Sequence, residues 1–157
     1  MKMILSALAI LGFSTLALAM PAVGDTATFT GSVVSQGQTI PFQNVIALTQ
    51  FNAANHQYMQ SSVVTSSDGK VLDQQSSWVN ETDLLTDATV TSLLANCAAQ
   101  NGVLETVTVP AGTFNTCKIT DQEGAMYNVS NVPFGIVKAV QPKSQLNMSL
   151  VSFQHGH

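Results

Sequence analysis

The chain has 157 residues, with five lysines, no arginine and nine acidic side chains, for a net charge of −4 at pH 7. Only 9% of its residues are charged, whereas 45% are hydrophobic. Without arginine forks or a basic stripe there is little to grip phosphate, so nucleic acid is excluded as a partner and the polar surface falls to Ser, Thr, Asn and Gln.

The first element is an export pattern. Lys2 supplies positive charge, Ile4 to Leu18 form an apolar run, and Ala17-Leu18-Ala19 places small residues where a leader peptidase requires them. Cleavage is expected between Ala19 and Met20. The run is shorter than the ~20 residues that cross a bilayer, and no membrane span remains once it is removed. No cysteine near the cut offers an acceptor for a lipid anchor. Residues 1–19 are therefore expected to be a signal peptide, and 20–157 a single soluble domain, periplasmic or secreted, large enough for a hydrophobic core.

Ala27, Phe29, Gly31 and Val33 alternate with Thr26, Thr28, Thr30 and Ser32, the period-two pattern of a strand with one buried face. After a turn at Gln36-Gly37, Ile40, Phe42, Ile46 and Leu48 share one parity, with Asn44 interrupting the apolar side. Tyr58 to Ser66 and Lys70 to Val79 flank Asp68-Gly69, whose residues tolerate the positive φ angles of a two-residue hairpin turn. Trp78 in the second arm is expected to anchor the core.

Beyond Glu81 the period changes. Val90, Leu93, Leu94, Cys97 and Ala98 fall on one helical face, Thr86 or Asp87 can cap its start, and Asn101-Gly102 supplies the stop. Cys97 and Cys117 are the only cysteines. In an oxidising compartment two such thiols pair, and closing a loop of this length contributes roughly 3 kcal/mol. Neither a C-x-x-C spacing nor a nearby histidine supports a redox or metal site. The disulfide would pin the end of the helix to the strand that carries Cys117.

Val103, Val107 and Val109 form the next strand, Pro110-Ala111-Gly112 fits a three-residue hairpin loop, and Thr113 to Thr120 is the return. Three more strands follow at about Ala125 to Ser130, Gly135 to Gln141 and Gln145 to Phe153. In the last, Leu146, Met148 and Leu150 share a parity that Val151 and Phe153 break, which calls for a bulge or burial on both faces. The sum is a mainly β domain: about nine antiparallel strands in one curved sheet, a half-barrel or partly closed barrel, with one short helix after the fourth strand.

Two segments carry a resemblance, Glu105 to Phe114 (ETVTVPAGTF) followed by Cys117, and Asn131 to Lys138 (NVPFGIVK). The chain resembles uncharacterised small exported bacterial β proteins, which are distantly similar to the curved barrels of periplasmic lipoprotein-localisation factors. The resemblance implies a curved sheet and an apolar concavity that could hold a lipid.

No catalytic constellation stands out. His155-Gly156-His157 reads as a solvated tail, His56 as a loop residue, and neither metal nor cofactor is called for. Glu105 shares parity with Val103, Val107 and Val109; it would have a raised pKa if buried alone, and an ordinary one if the strand faces solvent or a lysine meets it. The aromatics Phe42, Phe51, Tyr58, Trp78, Phe114 and Phe134 are candidate lining for a ligand site, although aromatics in a sheet ordinarily fill the core. The function expected from these residues is a non-catalytic binding module for an apolar ligand or an envelope protein. The alternatives are an interaction protein acting through a sheet edge, or a hydrolase or isomerase whose site would need a carboxylate or His56 converging with a second polar group.

Overall fold

A computed structural model describes residues 20–157; the expected signal peptide lies outside the described residues. Nine strands form one antiparallel sheet: β1 (Thr26–Ser35), β2 (Gln38–Asn52), β3 (Gln57–Ser66), β4 (Val71–Asn80), β5 (Val103–Val109), β6 (Gly112–Thr120), β7 (Met126–Val129), β8 (Ile136–Gln141) and β9 (Leu146–Gln154). The spatial order is β4-β3-β2-β1-β9-β8-β7-β6-β5. Two meanders of successive hairpins are thus sewn together by one non-local seam, β1 against β9. The sheet is curved but not closed, and β5 turns back towards β8 and β9.

The core lies inside that curl. Ala27 and Phe29 of β1, Val109, Val132, Val137 and Leu150 form its buried centre, with Ile46, Phe114, Phe134, Met148 and Phe153 packed around it. The parity break of β9 is resolved by a bulge: Thr28 pairs with Ser152 and Phe29 with Leu150, so Val151 is the extra residue. One inserted residue returns Phe153 to the side already occupied by Leu150. Asn44, the polar interruption of β2, is matched across the strand pair, its Oδ1 accepting from Ser62 Oγ at 2.9 Å. A buried amide costs little once it has such a partner.

The two hairpin expectations exchange loop lengths. Ser66 N donates to Lys70 O and Gly69 N to Ser66 O, so the β3–β4 loop has three residues, Ser67 to Gly69, with only glycine in the left-handed region at φ 82°. Asp68 instead accepts from Ser66 Oγ, which fixes the longer turn. In β5–β6, Val109 pairs with Gly112, leaving the two-residue loop Pro110-Ala111. The β1–β2 turn is as expected, with Gln36 at φ 50° and Gly37 at φ 75°.

Because β4 and β5 are opposite edges of the sheet, the segment between them must cross the whole structure. It does so through a 3-10 turn (Glu81–Asp83), helix α1 (Asp87–Ala95) and a second 3-10 turn (Cys97–Gln100). Thr86 caps α1, accepting from Thr89 N at 3.1 Å. The regular helix is shorter than its apolar stripe, and Ala98 is exposed in the following turn. Asn101, at φ 56°, reverses the chain into β5.

The Cys97–Cys117 disulfide fixes this crossover to β6, and both residues are buried. Gly102 is pressed against it: a Cβ there would stand 2.6 Å from Cys117 Sγ and 2.7 Å from Cys97 Sγ. The double variant Cys97→Ala/Cys117→Ala is expected to lose roughly 3 kcal/mol of unfolding free energy, measured by urea titration against the oxidised protein. Gly102→Ala should be destabilised with the bond intact and much less so in the cysteine-free background, because the clash is with the sulfurs.

Candidate functional site

The six candidate lining aromatics do not converge. Phe114 and Phe134 pack on the core, Phe114 meeting Phe153 at a ring separation of 6.2 Å. Phe42 lies over Gly31, its Cζ 2.9 Å from where a Cβ would be. Phe51 and Tyr58 stack at 4.6 Å near the ends of β2 and β3. Register places Val79 beside Tyr58 on one face of the sheet, and Trp78 beside Met59 on the other. Trp78 does not anchor the core: it is 42% exposed, because β4 is an edge strand with nothing packed on it.

The described grooves lie elsewhere. The largest, about 690 Å³, runs along α1 beside Leu85, Ala88, Thr89, Ser92, Leu93 and Asn96, and it is open to solvent and half polar. Phe134 borders only a narrow cleft, with Met20, Pro21, Asp25, Leu48, Leu84 and Leu85. The concave interior that could have held a lipid is occupied by core side chains.

What the fold does expose is the outer meander. Every residue of β4 is exposed except Val79, which is half-buried, and Asp73 is the strand's one charged residue. Val71, Leu72 and Trp78 lie bare on it, and Ile40, Val45 and Phe51 are exposed on β2, beyond β3. Among the described residues β4 pairs only with β3, so its outer amides and carbonyls have no strand partner. A bulge at Leu72 interrupts the first turn of the strand, and the run from Gln74 to Val79 is regular. The strand order, which no local pattern encodes, makes β4 an edge and places β1, paired with both β2 and β9, within the sheet.

The remaining polar candidates have structural roles. Glu105 meets a lysine: Oε2 accepts from Lys118 Nζ at 2.9 Å and Oε1 from Asn128 Nδ2 at 2.8 Å. Asn128 and then Lys118 hold its carboxyl below the ordinary range. Buried Thr116 completes the group, accepting from Asn128 and donating to Glu105 O. His56 is exposed and lies 3.3 Å from Glu81. Asp83 accepts from Asn80 Nδ2 at 2.9 Å, and Asp87 lies at the start of α1, so they form no acid–base pair. Burial, then Glu81 and Asp25, push the Tyr58 hydroxyl up.

Of the C-terminal histidines His157 is exposed as expected, whereas His155 is half-buried. Gly156 is buried and donates to Asp25 Oδ1 at 2.8 Å, while His155 Nδ1 lies 4.0 Å from the same oxygen. Asp25, buried, also accepts from Ala22 N at 2.8 Å, so one carboxylate clasps both ends of the domain. No cluster of three or more His, Cys, Asp or Glu side chains suited to a metal occurs among the described residues.

No family model and no curated protein matches the sequence. Solved structures do match. A protein of Bacteroides fragilis inferred to be exported, with a YmcC-like fold, aligns with a TM-score of 0.50 at 14% identity over 84% of this chain and 96% of its own. A protein of Parabacteroides distasonis inferred to be a lipoprotein aligns with a TM-score of 0.52 at 12% identity, over 85% and 96% respectively. At such identities the likeness is one of fold alone.

Glu105 generates a pH prediction. Its folded pKa is depressed, so its contribution is complete above the unfolded value of about 4.5 and is lost as pH falls through the lower folded value. Glu105→Gln should cost up to about 1 kcal/mol at pH 7, the pair being one-third exposed and screened. In urea titrations the difference from wild type should shrink as the pH falls below about 4.5 and vanish once it is below the lowered folded value.

Proposed function

We propose that this chain is an exported, non-catalytic interaction protein that receives an extended segment of a partner protein along β4. The observation that carries the reading is the edge itself: ten residues, nine of them fully exposed, one charge, and bare Val71, Leu72 and Trp78 beside free backbone groups. Strand addition draws affinity from main-chain hydrogen bonds and specificity from alternate side chains, and β4 offers both. Natural proteins usually blunt such an edge with lysines, prolines or a cover, and β4 has none of these beyond Asp73 and the Leu72 bulge. The export pattern of residues 1–19, the paired cysteines and the fold shared with proteins inferred to be exported support an extracytoplasmic setting.

The aromatics are scattered and the interior is filled, which favours an edge over a pocket. A peptide is a better fit than an acyl chain, since the open groove along α1 encloses nothing.

The single tryptophan of the chain lies on the proposed surface and reports on it. Photo-crosslinkers at Gln75 and Ser77, introduced into the protein in its native envelope, should join it to one defined protein, identified by mass spectrometry. Purified with that protein, Trp78 fluorescence should shift to the blue, and Trp78→Ala should weaken binding by about tenfold or more, the loss expected for an aromatic anchor. Gln75→Lys/Ser77→Lys should abolish binding while leaving stability within about 0.5 kcal/mol. Crosslinks to lipid, or to a protein that still binds the lysine variant, would overturn the reading.

A further inference from the structure

The backbone nitrogen of Met20 lies 2.9 Å from Asp87 Oδ2, at the first residue of α1. Met20 is also the residue that follows the expected cut after Ala17-Leu18-Ala19. Two independent readings, one from the leader pattern and one from the fold, thus meet at a single atom.

We infer that Asp87 is a receptor for the α-ammonium group that leader removal creates. A leader peptidase hydrolyses the Ala19–Met20 bond with one water: the carboxylate leaves on Ala19, and Met20 keeps the nitrogen, protonated at neutral pH. Before the cut, that nitrogen carries one N–H and no charge. Afterwards it is a cation with three donors, facing a carboxylate at hydrogen-bond distance. A charge-assisted bond replaces a neutral one.

The surroundings are built to hold the new end. The Met20 side chain is only 4% exposed and sits with Leu48, Leu84, Leu85 and Phe134. Pro21 O accepts from Tyr58 Oη at 3.0 Å, and Gly24 N donates to Leu48 O at 2.8 Å. Asp87 is therefore met by a segment already fastened to β2 and β3. Processing strengthens the attachment of the crossover to the sheet, on the side opposite the disulfide.

The inference rests on the export half of the proposed function and not on the β4 edge, and the experiment separates them. Sequencing the N-terminus of the protein taken from its own envelope should begin at Met20; any other start overturns the inference. Two recombinant forms are then compared by thermal unfolding, one with free Met20 and one with Gly-Ser before it. The free form should melt about 2 to 4 °C higher. Asp87→Asn, which keeps an acceptor and removes the charge, should erase that difference, and Asp87→Glu should restore part of it. Equal losses in both forms would show that Asp87 acts on α1 alone and would overturn the inference. Partner binding along β4 should be the same in both forms.

Discussion

The crossover between β4 and β5 is the constraint on which the arrangement depends. A meander puts each strand beside its predecessor, and eight of the nine strands obey that rule or meet at the β1–β9 seam. The exception is the step from one edge to the other, made by a short helix that buries little of its apolar surface. Val90 alone is buried within α1, so packing holds the helix only weakly. The bond from Cys97 to Cys117 supplies what packing does not. It fastens the crossover to β6, covers one end of the curl and leaves β5 turned inward over the core.

That arrangement divides the sheet into unequal halves. From β1 through β9 and β8 to the β5–β6 hairpin, side chains close on a shared interior. The β2–β3–β4 flank extends past it, with apolar groups in water on both faces. Cross-strand pairs such as Phe51 with Tyr58 and Asn44 with Ser62 hold β2 to β3 within that flank. The edge proposed to receive a partner therefore lies on the most exposed strand of the sheet. The interior of the curl is occupied by its own core side chains.

Much of this was legible in the residues, and the misses have physical causes. Alternation located β1, β2 and β9, because a half-buried strand must alternate, and turn residues bracketed the β3–β4 and β5–β6 hairpins. The parity break at Val151 announced its bulge, and the change of period after Glu81 announced the helix. Loop lengths were less legible: Asp-Gly and Pro-Ala-Gly each permit two closures, and the choice fell to a serine hydroxyl in one and to strand pairing in the other. Trp78 was misjudged because burial depends on which strand is outermost, a global property. The lysine expected to meet Glu105 is Lys118, but the packing of the C-terminal segment depended on Asp25, 131 residues before Gly156, a distance at which local pattern carries no information. The candidate site was the least legible of all, being defined by a missing neighbour and not by a motif.

The β1–β9 seam gives the topology the character of a ring. Strand pairs run continuously from β4 to β5, and the covalent crossover joins those same two strands from the other side. Asp25 holds the segment before β1 against Gly156, just after β9, so the two ends of the described domain lie side by side at the seam. The order in which the chain is read is therefore incidental to the architecture. A circularly permuted protein, with its ends joined and a new opening at Ser67 to Gly69, would contain every native strand pair and the same stapled helix.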